Sequence, residues 1–277
     1  MVPPGLPALP LVLYVHEGKT GSSTVRHVLQ AAQSASSQDQ WLCELSDSSN
    51  VTFETCQHSD VVIGPALYGT CSLFRRPCRY FTVMREPVDR LVSSYNYFCL
   101  SCKENGKFCW TNVQAERLWN ASCPSMSFLE YTAIYANMYT WHFGRRVMPY
   151  YDNMHQGFAH EKPLANSDFV AARRALTQPD MLLIQTDELD GGAWDRLERW
   201  LSGTRAAAAM RHSRQKNETT HRHAALAYAY TPTAAERERT CTCTCTCMYT
   251  CTCMSCVINH FDCELYKSLR SRVDAAP

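Results

Sequence analysis

Leu11-Val12-Leu13-Tyr14-Val15-His16-Glu17-Gly18-Lys19-Thr20-Gly21-Ser22-Ser23-Thr24 decides the reading of this chain. The first five residues are uninterrupted apolar, too short for a buried helix and suited to a strand covered on both faces. Two glycines, one lysine and a row of hydroxyls follow. A helical pattern then begins near Ser22, with Val25, Val28 and Leu29 on one face. A strand, a small-residue turn and a helix N-terminus bring backbone N–H groups and an ammonium to one place, which is a holder for a phosphate or sulfate.

Working outward, the alternation repeats. Leu11–Val15, Asp60–Ile63, Tyr80–Met84 and Met181–Gln185 read as short strands. Ser22–Ala35, Pro87–Phe98, Ser127–Phe143, Asn166–Leu176 and Ala193–Leu201 read as helices. This order predicts an α/β fold, a parallel sheet with helices on both faces, whose ligands bind at the carboxyl ends of the strands. Lys19 and Arg85 both follow strands directly and are expected on that edge. Arg205 with Ala206–Ala209 and Arg211–His223 reads as a basic, His-rich connector. Thr231-Pro232-Thr233 with Glu236 reads as a helix start, and Val257–Val273 as a last helix with Ile258, Phe261, Leu265 and Leu269 on its apolar stripe.

The second informative segment is Arg85-Glu86-Pro87-Val88-Asp89-Arg90-Leu91-Val92-Ser93. Pro87 suits the first turn of a helix. An arginine fork at the strand end and a serine on the helix suit a phosphate monoester. The plainer alternative is an Arg85–Glu86 surface pair beside a helix-starting proline. Net charge is only +1, which argues against bulk electrostatic binding of nucleic acid.

Together, the Gly18–Thr24 turn and the Arg85–Ser93 segment resemble the two cofactor motifs of sulfotransferases, in particular the Golgi carbohydrate group containing heparan sulfate and uronyl 2-O-sulfotransferases. Asp60–Gly64, Asn137–Gly144, Gln185–Leu189 and Asn259–Tyr266 are weaker matches. The resemblance implies a P-loop-NTPase-like fold and a co-substrate, 3′-phosphoadenosine 5′-phosphosulfate (PAPS), with no metal. It implies that Lys19, Thr20, Gly21, Ser22, Ser23 and Thr24 grip the 5′-phosphosulfate, and that Arg85 and Ser93 grip the 3′-phosphate. The partner it implies is a glycan, such as an anionic glycosaminoglycan, with no nucleic acid. Arg75, Arg76, Arg79, Arg145, Arg146, Arg211, Arg214 and Lys216 are available to meet such an acceptor.

One departure bears on catalysis. The family's Gly-His after the Asp60–Ile63 strand is Gly64-Pro65 here, and proline cannot take a proton. Lys19 is expected to stabilise the leaving charge. His16, His58 and Glu17 are the candidates for the base by their nearness in sequence. Three functions follow: a PAPS-dependent carbohydrate O-sulfotransferase, a PAPS- or glycan-binding homologue without turnover, and a P-loop kinase or NTPase. A Walker A turn would want glycine where Leu13 stands, which weighs against the last.

Sixteen cysteines and the sequons at Asn50, Asn120 and Asn217 favour the secretory pathway, and the resemblance implies the Golgi lumen, with an N-terminal membrane anchor absent from these residues. Eight cysteines lie between Cys43 and Cys123. Of these, Cys99, Cys102, Cys109 and Cys123 read as disulfides bracing an insertion. Thr240–Cys256 alternates cysteine and threonine, as a translated short nucleotide repeat does. The expected organisation is a tail over 1–10, one α/β domain over 11–239, a low-complexity insertion over 240–256, and the domain's last helix over 257–273. Trp110, Trp119, Tyr139 and Trp141 are candidates to stack on sugars.

Overall fold

The computed structural model describes residues 9–36, 40–45, 52–64, 67–100, 127–145, 164–215, 231–241 and 260–273. They divide between two compact units. One comprises Met1–Met84 with Gln178–Ala224, the other Arg85–Thr177 with Ala225–Pro277. The domain expected over 11–239 is therefore distributed over two units, and each is described by itself.

The first unit holds the whole sheet. Its strands are β1 (Leu11–Val15), β2 (Leu42–Glu44), β3 (Val61–Gly64), β4 (Cys78–Met84) and β5 (Met181–Gln185). All pair in parallel, in the order β2-β3-β1-β4-β5. This is the α/β, P-loop-like architecture expected from the alternation of elements. The central strand β1 is buried along its whole length, and side chains on both of its faces are fully excluded from water. That is why it reads as a continuous apolar run rather than an alternating one.

On one face Val12 and Tyr14 of β1 join Val61, Ile63, Phe81, Val83 and Ile184 from the neighbouring strands. Helix α1 (Ser22–Ala35) lays Val25, Val28, Leu29 and Ala32 onto that layer, the i, i+3, i+4, i+7 spacing of one helical stripe. Gln33 at its end turns back, its Oε1 accepting from the N–H groups of Trp41 and Leu42 at the start of β2. Two further helices of this unit, α5 (Ala193–Trp200) and α6 (Arg205–Gln215), complete the layer.

Helix α5 (Ala193–Trp200) matches expectation. Helix α6 (Arg205–Gln215) does not, because Arg205–Gln215 was expected as connector. Its alanines bury: Ala206, Ala207, Ala209 and Met210 pack into the same core. Alanine has the highest intrinsic helix propensity and permits close approach to α1. Thr204 Oγ1 accepts from Ala207 N–H at 3.2 Å, an N-cap that the sequence did contain. The start of α6 is fixed by Asp60, whose carboxylate accepts from Arg205 N–H at 2.6 Å and pairs with its guanidinium at 3.0 Å. The missed strand β2 is three residues long, too short to show a period. The Lys216–His223 part of the connector lies outside the described residues.

The second unit is helical. Helix α2 (Pro87–Tyr95) passes into a π-helical turn, Asn96–Leu100. The expected single helix over Ser127–Phe143 is two elements, α3 (Phe128–Tyr135) and a π-helical segment, Thr140–Arg145. Asn137 between them takes φ 55°. A left-handed residue ends a helix, and asparagine tolerates it better than most. Helix α4 (Asn166–Leu176) follows. Helix α7 (Ala234–Cys241) opens with the predicted capping box, Thr233 and Glu236 bonding reciprocally at 2.8 and 3.2 Å. Helix α8 (His260–Val273) is the last.

Cys43 is bonded to Cys56 and Cys71 to Cys78, and Cys99 and Cys263 are also disulfide-bonded. Cys102, Cys109, Cys123, the three sequons and most of the Cys/Thr tract lie outside the described residues. Among the described helices none is long and apolar enough to cross a membrane.

Asp60→Ala removes the acceptor that starts α6 and leaves the Arg205 N–H unpaired. The expected loss is about 2–3 kcal/mol, seen as a fall of roughly 4–10 °C in the thermal midpoint. Thr204→Ala should cost less, about 1 kcal/mol.

Candidate anion-binding site

In the first unit the site begins where β1 ends. The His16 N–H continues the β3 pairing by donating to the Gly64 carbonyl at 3.0 Å, and Thr82 Oγ1 holds the Val15 carbonyl at 2.9 Å. The chain then turns sharply. Thr20 Oγ1 donates to the Glu17 carbonyl at 3.0 Å, and the Thr20 carbonyl accepts from Thr186 Oγ1 at 2.7 Å. Thr186 Oγ1 also lies 3.1 Å from the Met84 carbonyl. The carbonyls of Val15, Glu17, Thr20 and Met84 are thus each occupied by a threonine hydroxyl.

The backbone of the turn is held in an uncommon shape. Lys19 has φ 67° and Gly21 has φ 90°. Glycine adopts this freely, but a lysine there costs about 1–2 kcal/mol. Left-handed residues spaced along a turn point successive N–H groups into one concavity. Helix α1 begins directly after Gly21, with no side chain capping it and no acidic residue in its first turn. Its first N–H groups and the positive end of its dipole have no carboxylate of their own to satisfy them. A Cβ added at Gly18 would meet nothing within 4 Å. Among the described residues, nothing packs against that side of Gly18.

The expected ligands Lys19, Thr20, Gly21, Ser22, Ser23 and Thr24 are therefore gathered on one turn and the first helical residues. They are not equivalent. Thr20 is fully buried and its hydroxyl is spent on Glu17, so only its N–H can face an anion. Ser22 is buried too, whereas Ser23 is exposed.

His16 sits half-buried at the base of the turn. Burial lowers its pKa from the ordinary imidazole value, the Glu17 carboxylate opposes that, and Arg26 adds to it. Burial thus favours the neutral imidazole, the form that can accept a proton. Glu17 is buried beside it. His58 is placed elsewhere. It is exposed and precedes β3, at the amino end of the strand pair whose carboxyl end leads to Lys19. A parallel pair keeps its two ends apart by the length of the strands, so the structure does not bring His58 to the turn. The same holds for Arg76 and Arg79 as acceptor-binding residues. Arg76 donates to the carbonyls of Gln57, Ser59 and Leu9, and Arg79 lies over the Trp200 ring, both at that amino edge.

In the second unit Arg85 precedes α2 and Ser93 lies in its last turn. The N-terminus of α2 is already occupied: the Glu86 carboxylate accepts from Val88 and Asp89 N–H at 3.1 and 2.8 Å, and Arg237 pairs with Asp89 at 2.7 Å. Glu86 is thus a helix cap. Any anion here must be held by the Arg85 and Ser93 side chains rather than by helix N–H groups. Ser93 is buried two turns into α2, and Arg85 is half-buried.

The backbone of Arg85 is gripped by Tyr139, whose hydroxyl accepts from Arg85 N–H at 3.0 Å and donates to its carbonyl at 3.1 Å. Tyr139 is itself anchored by Asp262 of α8. That carboxylate accepts from the N–H groups of Tyr139 and Thr140 at 2.9 and 2.8 Å, and from Thr140 Oγ1 at 2.8 Å. Asp262 is fully buried, and burial raises its pKa to about 6, against the pull of Arg90 and its hydrogen bonds. Sequence reasoning missed Tyr139, Arg90 and Asp262 as a group. One signal was present: Asp262 falls on the same stripe as Leu265 and Leu269, a carboxylate on a buried face. Tyr139 and Trp141 are buried rather than offered to a sugar. Arg145 is stacked on Trp141 and paired with Asp168. Pro65, Arg146, Trp110, Trp119 and Lys216 lie outside the described residues.

Among the described residues no group of His, Cys, Asp or Glu is arranged to hold a metal ion. Comparison of the chain with protein-family models, curated proteins and solved structures finds no match.

Two predictions follow from these geometries. Gly18→Ala should leave the thermal midpoint within about 2 °C of the parent, since among the described residues nothing lies within 4 Å of the added Cβ. The second concerns pH. The folded pKa of Asp262 lies above its unfolded value, so its stabilising contribution is full below about pH 4 and is lost as pH rises through about 6. The stability of the parent relative to Asp262→Asn, measured by urea unfolding, should therefore fall by about 3 kcal/mol between pH 4 and 7.

Proposed function

We propose that this chain is a PAPS-dependent carbohydrate O-sulfotransferase. The observation that carries the reading is the turn at Lys19: left-handed at two positions, leading into a helix with no side-chain cap and no acidic residue in its first turn, and set at the carboxyl end of the central strand of a parallel sheet. A turn of this kind answers a phosphosulfate by the N–H groups of Thr20–Ser23 and by the Lys19 ammonium, the Thr24 N–H being donated to the Gly21 carbonyl. The resemblance of both motifs to those of carbohydrate sulfotransferases supplies the rest, with Arg85 and Ser93 taking the 3′-phosphate.

PAPS, when bound, supplies the sulfuryl group. Lys19 and the turn N–H groups stabilise the negative charge left on the departing nucleotide. His16, its neutral form favoured by burial, accepts the proton of the acceptor hydroxyl. Paired cysteines support an oxidising compartment, and with the resemblance this leads us to place the protein in the Golgi lumen with a glycosaminoglycan as acceptor.

A second reading rests on Pro65, which stands where the resemblance calls for histidine: a homologue that binds PAPS without transferring sulfate. A transfer assay with sulfur-labelled PAPS and a panel of glycosaminoglycans separates the two. The expected result is transfer by the parent, reduced about 10²- to 10³-fold in Lys19→Ala and strongly reduced in His16→Ala. Equal transfer by Lys19→Ala would sink the assignment. Binding without transfer would select the second reading. Magnesium-dependent hydrolysis of ATP would select a nucleotide triphosphatase instead.

A further inference from the structure

Tyr139 is held from three sides, and what it holds is the backbone of one residue. Its own N–H is bonded to buried Asp262 at 2.9 Å. Its ring lies under the guanidinium of Arg90, 5.6 Å from the centroid. Arg90 is in turn fixed by the Tyr135 carbonyl at 3.1 Å and the Met138 sulfur at 3.5 Å, and it is almost wholly buried. The Tyr139 hydroxyl then brackets Arg85, taking its N–H and giving to its carbonyl.

The position of Arg85 explains why this bracket is needed. The β4 ladder ends at Met84, and α2 begins at Pro87. Between them, both polar backbone groups of Arg85 are outside the regular pairing of the strand and need partners. One hydroxyl supplies both, and so fixes the direction in which the Arg85 side chain leaves the backbone. A guanidinium recognises a phosphate monoester through two parallel bonds, and such recognition is lost when the fork is misplaced by a fraction of an ångström to an ångström.

We propose that Tyr139, anchored by Asp262, is a positioning residue that aims Arg85 at a nucleotide 3′-phosphate and so sets the protein's preference for 3′-phosphorylated adenine nucleotides. This rests on the reading above that Arg85 receives the 3′-phosphate. It goes beyond that reading by assigning the discrimination to a residue that itself touches no ligand, and to a carboxylate on the last helix.

The test is calorimetric titration of the full chain with adenosine 3′,5′-bisphosphate and with adenosine 5′-monophosphate, which lacks the 3′-phosphate. The parent should prefer the bisphosphate. Tyr139→Phe keeps the ring over Arg90 and removes only the hydroxyl. It should lower the affinity for the bisphosphate about tenfold while leaving that for the monophosphate unchanged. In an Arg85→Ala background the same substitution should change neither affinity, because its effect passes through Arg85. Thr140→Val, which removes one bond to Asp262 without touching Tyr139, should give the same shift more weakly, and it serves if Tyr139→Phe does not fold.

The outcomes are distinct. A parent that binds both nucleotides equally overturns the cofactor reading and this inference with it. A parent that prefers the bisphosphate, together with a Tyr139→Phe variant that keeps the full preference, overturns the inference alone. Equal weakening of both nucleotides in Tyr139→Phe would mean general loosening and also overturns it.

Discussion

The pairing of β1 on both sides, with β3 and with β4, is the constraint from which the first unit follows. A strand bonded on both edges and buried on both faces has no freedom to shift by a residue, because a one-residue slip would exchange its two side-chain layers. Val15 must therefore end where it does, and the turn must start at His16. The hydroxyls of Thr82 and Thr186 then tie the ends of β1, β4 and the turn to one another through carbonyl groups. A left-handed lysine can persist only where its surroundings are fixed to this degree.

The second unit is organised by a different device, a buried carboxylate. Asp262 satisfies three donors on the segment that follows the α3 break, and the neighbouring Arg90 offsets its charge. Such a pair adds little net stability over apolar residues of the same size. What it adds is uniqueness: few other arrangements of these helices would satisfy both a buried guanidinium and a buried carboxylate. Asn137 contributes by the same logic, since its left-handed turn allows its side chain to accept from the Asp262 N–H.

The parallel sheet and the Lys19 turn were legible because they are local. Five apolar residues, two glycines and a capless hydroxyl row lie within one short stretch, and backbone preference alone determines what they do. Helix α6 was illegible because its inward positions are mostly alanines set among arginines and a histidine, so that only tertiary packing shows which side is inside. Helix α3 was extended too far because Asn137 breaks it through backbone conformation, which apolar periodicity does not register. His58 was a candidate by closeness in sequence, and the parallel topology placed it at the far end of its strand. The link from Asp262 to Arg85 joins residues distant in the chain, and no local pattern encodes such a bond.

The stretch between Cys241 and His260 contains most of a Cys/Thr repeat of the kind that gains and loses units when DNA slips during copying. Helix α8 docks through Asp262, Leu265 and Leu269, all beyond that stretch. A change in the number of Cys/Thr units would alter none of the side chains by which α8 docks, so the length of the repeat and the anchoring of Tyr139 by Asp262 are separate properties of the sequence.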